Sequence, residues 1–85
     1  MATYSLRIKR TAAKEIEALP AKDRKRVVAT IARLANDARP AGSEKLSGEE
    51  KYRLRQGDYR ILHAIVDSEL VVTVVQVGNR RDVYR

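Results

Sequence analysis

The chain contains no cysteine, which removes disulfide staples and thiolate metal ligands and fits a protein kept in a reducing compartment. It has one histidine, His63, and its carboxylates are dispersed, so no metal-ligand cluster can be named from spacing. Nowhere does an apolar run reach the length that spans a bilayer. The start, Met1-Ala2-Thr3-Tyr4, carries no apolar stretch behind a basic cap, as a secretory signal would. The expectation is a soluble, cytoplasmic protein with no membrane partner. No repeat, low-complexity tract or linker divides the sequence, which is expected to form a single domain over residues 1–85. That length lies near the lower limit of what one apolar core stabilises unaided, with room for one sheet and two or three helices. Negative charge is scarce too: eleven Asp plus Glu against eighteen Lys plus Arg leave a net charge of +7. Such an excess attracts polyanions, whether nucleic acid, an acidic protein or anionic lipid, and charge alone does not choose among them.

What is present follows the order strand, helix, helix, strand, strand, strand. Tyr4, Leu6 and Ile8 alternate with Ser5, Arg7 and Lys9, the pattern of a half-buried strand. Thr11 can cap a helix that puts Ile16 and Leu19 on one face and stops at Pro20, a residue that also suits the first turn of the next helix. From about Ala21 to Asn36, the residues Val27, Val28, Ile31, Leu34 and Ala35 follow the helical period, with Lys22, Lys25, Arg26 and Arg33 mostly opposite. Two helices meeting at a proline make a helical hairpin. The stretch from Asp37 to Ser43 is loop-like, and Leu46 leads to a second turn at Ser47-Gly48. Beyond it Tyr52 and Leu54 point one way and Lys51, Arg53 and Arg55 the other. Gly57-Asp58 turns the chain, and Tyr59 to Val66 returns as a strand. After a turn at Asp67-Ser68-Glu69, Leu70 to Val77 is a β-branched run of the kind buried on both faces, so this strand should be central or nearly so. The fold class is α+β: an N-terminal strand, a helical hairpin and a three-stranded antiparallel meander, with the helices on one face of a small twisted sheet. So short a chain cannot cover the other face, where Arg53, Arg55 and Arg60 should form a concave basic surface.

Two groups of residues carry candidate chemistry. Lys51, Arg53 and Arg55 repeat with period two and Arg60 follows a tight turn, so hairpin pairing would gather four cations. Like charges facing each other destabilise a sheet and imply a compensating anion; the alternative is a sheet edge defended against aggregation by its charge. The second group is Arg80, Arg81, Tyr84 and Arg85. Arginine offers a rigid fork of donors matched to phosphate, while a phenol can stack on a base or move a proton. The alternative for Tyr84 is packing against a neighbouring strand. His63 shares a strand face with Tyr59, Ile61 and Ile65, which marks it as a core histidine in preference to a catalytic base. Ser43, Ser47 and Ser68 have no placed base and serve as turn residues.

As an ordered set, Leu46-Ser47-Gly48, then Tyr52-Arg53-Leu54-Arg55-Gln56-Gly57-Asp58-Tyr59-Arg60-Ile61, then Val74-Val75-Gln76-Val77-Gly78 and Arg80-Arg81-Asp82-Val83-Tyr84-Arg85 resembles the RelE branch of the RelE/ParE toxin superfamily, over essentially the whole chain. The resemblance implies the toxin half of a type II toxin-antitoxin pair. Such a toxin is a ribosome-dependent endoribonuclease, an mRNA interferase that cuts messenger RNA in the A site and is silenced by an acidic antitoxin wrapped around it. It also implies that Arg53 and Arg55 hold substrate phosphate and that Arg60, Arg80 and Tyr84 form the catalytic set; Lys51, Arg81 and Arg85, clustered with them in the sequence, are expected as further RNA contacts. The substrate's 2′-hydroxyl attacks the adjacent phosphorus, leaving a cyclic phosphate and a free 5′-hydroxyl. Arginines stabilise the pentacoordinate charge, and no metal or other cofactor is expected.

The sequence departs from the pattern in three ways. Relatives often carry histidine where Asn79 stands and Tyr-Glu where His63-Ala64 stands, and the best-known members have lysines at the positions of Arg53 and Arg55. Arginine keeps its proton at any working pH and is a poor general base, which leaves Tyr84 as the strongest candidate for moving the proton. Two other readings compete. One is the ParE branch, which shares the fold, poisons DNA gyrase and cuts nothing; the other is a non-catalytic RNA- or antitoxin-binding module.

Overall fold

In the computed structural model, which describes residues 3–46 and 50–79, five strands form one mixed sheet in the order β1-β5-β4-β3-β2. The strands are β1 (Ser5–Ile8), β2 (Glu44–Lys45), β3 (Lys51–Gln56), β4 (Tyr59–Val66) and β5 (Val71–Asn79). Helices α1 (Arg10–Glu17) and α2 (Ala21–Arg33) lie between β1 and β2 in the chain. The apolar faces of the helices, Ala12 and Ile16 on α1 and Val27 and Ile31 on α2, join Tyr52, Leu54, Ile61, Ile65, Val72, Val74 and Val77 of the sheet in one core. Leu34 and Ile61 are fully buried, each stabilising the fold by about 1.5–3 kcal/mol relative to exposure.

The expected helical hairpin and meander are present, and several local expectations are corrected. Thr11 does not cap α1; Lys9 takes the N-cap position with no side-chain bond. The reason is that β1 runs straight into the helix, with the Lys9 N–H donating to the Val74 carbonyl at 2.9 Å, so no residue is left over to serve as a capping side chain. Pro20 sits at the N-cap of α2, one place before the first turn. That helix ends at Arg33, short of Asn36, with the chain continuing in tight turns. The sheet is largely antiparallel, as expected, and its one parallel pair is β1 with β5, from Ser5↔Val71 to Ile8↔Val74. This places β5 between β1 and β4, the interior position its unbroken β-branched run requires. Strand β2 was not expected: two residues are too few to show alternation, and its existence depends on the pairs Glu44↔Arg53 and Lys45↔Tyr52.

Two irregularities shape the sheet. Gly57 has φ of 59°, as the first central residue of a two-residue hairpin loop can when it is glycine, and so fixes the β3–β4 register. On β5 the pairing slips, with Leu62 opposite Gln76 but His63 opposite Val74, which inserts Val75 as the extra residue of a bulge. The Val77 N–H beyond the bulge donates to Glu15 Oε1 of α1 at 2.9 Å, tying the helix to the strand at the point where the ladder is broken. Among the described residues no helix is long and apolar enough to cross a membrane.

Candidate phosphate-binding cleft

The register of the β3–β4 hairpin sets Arg55 directly opposite Arg60, and the short β2 sets Glu44 directly opposite Arg53. Paired residues of antiparallel strands share a face, so all four lie on the side of the sheet away from the helices. There they line, with Gly42, a cleft of about 300 Å³. Arg60 is only 7% exposed, although it projects from the face that so short a chain was expected to leave open. Its charge therefore acts in a medium less polar than water, where an ion pair or a developing anion is felt more strongly. Arg55 is exposed and Arg53 half-buried. Gly42 has φ of 92°, a conformation costly for any residue with a Cβ, and it lets the loop before β2 form one wall.

Three of the predicted cations thus converge. Lys51 lies on the same face, but it pairs with Ala64 and does not line the cleft; it stands two positions before Arg53 on the strand, roughly 7 Å away. Arg80, Arg81, Tyr84 and Arg85 lie outside the described residues. Asn79 ends β5 opposite Tyr59. Glu44 was missed: its Oε2 accepts from Arg53 Nη2 at 2.7 Å, a contact created by strand pairing that no local motif announces. Among the described residues no three His, Asp or Glu side chains gather as a metal-holding group.

A second polar cluster, also unforeseen, pins the loop that carries Gly42. Arg39 donates to both oxygens of Asp67, at 3.2 and 2.8 Å, and through Nε to the Tyr52 hydroxyl at 2.9 Å, and it stands over the Tyr52 ring at 5.1 Å. Tyr4 donates to Asp67 at 2.6 Å. The bonds from Arg39 first and Tyr4 second hold the Asp67 carboxyl down at about 2, and the bond to Asp67 raises the Tyr4 phenol. Tyr52 stacks in turn on His63, whose Nε2 donates to the Ala38 carbonyl at 2.9 Å. His63 is fully buried and its Nδ1 meets no partner. It is the core histidine expected, and burial lowers its pKa below 6.5. Tyr59 donates to Asp23 of α2, which raises its phenol, and Thr30 bonds Gln56, so α2 is stitched to the hairpin from the other side.

A family model described as the ParE toxin of type II toxin-antitoxin systems, parDE, matches residues 6–84. The chain is a toxin of this family, within the RelE/ParE superfamily. Solved RelE structures share its architecture. The toxin is 22% identical to a chain of the archaeal RelE-RelB complex from Pyrococcus horikoshii OT3, with a TM-score of 0.81 over 94% of this chain and 98% of that one. It is 28% identical to a mutant of the E. coli toxin RelE in the free state, with a TM-score of 0.71 over 93% and 84% of the two chains. The RelBE2 toxin-antitoxin complex from Mycobacterium tuberculosis gives 26% identity and a TM-score of 0.67 over 92% of the toxin and 99% of the matched chain. No curated protein matches the sequence significantly.

Proposed function

We propose that this toxin is a ribosome-dependent endoribonuclease that cuts messenger RNA and thereby arrests translation in the cytoplasm. The observation that carries the proposal is the cleft in which Arg53, Arg55 and the buried Arg60 converge. Guanidinium groups gathered in one cleft offer donor forks matched to a phosphodiester. In the reaction the 2′-oxygen bonds to phosphorus as the 5′-oxygen leaves, giving a cyclic phosphate and a 5′-hydroxyl. Arg53 and Arg55 hold the flanking phosphate, with Lys51, Arg81 and Arg85 along the RNA. Arg60 and Arg80 neutralise the charge that builds on the equatorial oxygens, and Tyr84 takes or orients the 2′-hydroxyl proton. The strand register that sets Arg55 opposite Arg60, with Arg53 on the same face, supports this reading. An acidic antitoxin is the natural partner of a chain of net charge +7, its carboxylates meeting the same arginines.

The family description favours a second reading, a ParE-like poison of DNA gyrase that uses the basic surface only to bind. One experiment separates the two. Purified toxin is added to programmed ribosomes and, in parallel, to gyrase with relaxed plasmid. Cleaved messenger with unimpaired supercoiling supports the nuclease; blocked supercoiling with intact messenger replaces it by the second reading; neither effect leaves a binding module.

A further inference from the structure

A carboxylate has no obvious place in a cleft built to take phosphate, yet Glu44 lines it and contacts Arg53 Nη2 at 2.7 Å. The two partners differ in burial: the Arg53 side chain is 16% exposed and that of Glu44 65%. The arginine is thus fixed in the wall of the cleft, while the carboxylate reaches it from the solvent side and can swing back into water. Its anchorage is slight as well, since β2 is two residues long and follows a loop turned by Gly42.

We infer that Glu44 is a specificity-determining residue: an internal anion seated on Arg53, which an entering phosphate must displace. The inference rests on the reading of the cleft as the seat of substrate phosphate. In the empty toxin the carboxylate relieves repulsion among Arg53, Arg55 and Arg60. When RNA enters, one of its phosphates takes the carboxylate's position on Arg53 while others engage Arg55 and Arg60, so an extended polyanion outcompetes Glu44 where an isolated anion does not. The pair is a mild barrier, because exposed ion pairs of this kind are weak. The competing explanation is that Glu44 and Arg53 are an ordinary cross-strand pair securing the edge of the sheet, in which case removing the carboxylate weakens the fold and leaves ligand affinity alone.

The test is binding of a fluorescein-labelled, 2′-O-methylated oligoribonucleotide, which cannot be cut, followed by anisotropy over a range of salt concentrations. Glu44→Gln is expected to bind about two- to fivefold more tightly at low salt, matching the modest strength of such a pair. It should also steepen the plot of log affinity against log salt by about 0.7, one more phosphate neutralised on a single strand. Glu44→Asp, which keeps the charge on a shorter arm, should fall between Glu44→Gln and the parent. Inorganic phosphate should compete with the RNA better in Glu44→Gln than in the parent. Unchanged affinity and slope in Glu44→Gln, with weakened binding in Arg53→Ala, would overturn the inference and leave the phosphate site standing. Weaker binding by Glu44→Gln would overturn it too, by showing that the carboxylate contacts the RNA itself. If Arg53→Ala is also silent, the cleft is not the phosphate seat and both readings fall. Cleavage on ribosomes is scored separately, so a tighter-binding Glu44→Gln supports the inference even where the nuclease reading fails.

Discussion

Arg39 and Arg60 are held against the same sheet, and their surroundings are nearly opposite. Arg39 is met by Asp67 through two hydrogen bonds, by the Tyr52 hydroxyl and, at 3.7 Å, by Glu50. Its positive charge is answered within the chain. Arg60 is buried with another arginine as its strand partner, in a cleft whose described lining offers Glu44 as the lone carboxylate against three guanidinium groups. Matched charge at Arg39 holds a loop in place; Arg60 lies among like charges in the cleft proposed to take phosphate. The difference gives a physical criterion for separating structural from functional arginines among eighteen basic residues, and it can be attacked from both ends.

The largest effect is expected at Arg60. On the proposed mechanism, replacing it with alanine removes a preorganised donor from the place where transition-state charge develops, and single-turnover cleavage on programmed ribosomes should fall by about a hundredfold or more. Circular dichroism should show the fold retained; cleavage within a few fold of the parent would place Arg60 among the structural arginines. Next is Tyr84→Phe, which keeps the ring and deletes the hydroxyl. Cleavage should drop far more than ribosome affinity if the phenol handles a proton. Activity that survives Tyr84→Phe but falls in Tyr84→Ala would make the ring a stacking platform.

At the matched end the readout is stability. Arg39→Ala should lower the folding free energy by roughly 1–2 kcal/mol, the scale of a charged hydrogen-bonded contact partly open to solvent. Acid titration sharpens the comparison. Asp67 is held at about 2 by Arg39 and Tyr4, below its unfolded value near 4, so its contribution is complete above pH 4 and is lost as pH falls toward 2. Thermal melts from pH 5 to 2 should show that acid limb in the parent and a much shallower one in Arg39→Ala. The smallest effect belongs to His63. Its pKa is depressed by burial, so the folded state stays neutral where the unfolded chain takes up a proton. Stability is therefore full above pH 6.5 and declines below it, by at most about 1.4 kcal/mol per pH unit for one proton. His63→Phe should melt lower at pH 8, having lost the bond to Ala38, yet lose less on moving to pH 5. A parent melt flat between pH 8 and 5 would contradict the assignment.

Features encoded within a few residues of one another were legible in the sequence. The β3–β4 hairpin, with its Gly57-Asp58 turn, follows from alternation and turn chemistry, and it alone brings Arg55 to Arg60. The helical hairpin follows from period and proline. What escaped depends on distant partners. Glu44 belongs to the cleft only because β2 pairs with β3, Arg39 meets Asp67 only once the loop folds back, and the Val75 bulge is recognisable only with Glu15 beside it. Lys51 shows the converse limit: alternation gave its face correctly but not how far along the strand the cleft extends. Arg80, Arg81, Tyr84 and Arg85 remain expectations of the sequence.

The parallel pairing of β1 with β5 has a consequence for when this protein comes into being. The first strand to leave the ribosome waits for the last, and the bond between Tyr4 and Asp67 closes a gap of 63 residues. Until β5 is made, α1 lacks the strand it packs against and Val72, Val74 and Val77 are missing from the core. Contacts so distant in sequence form late, because the entropy of closing the loop must be met before the contact repays it. A growing chain therefore completes its core only once β5 has been made, although the residues that line the cleft all precede that strand.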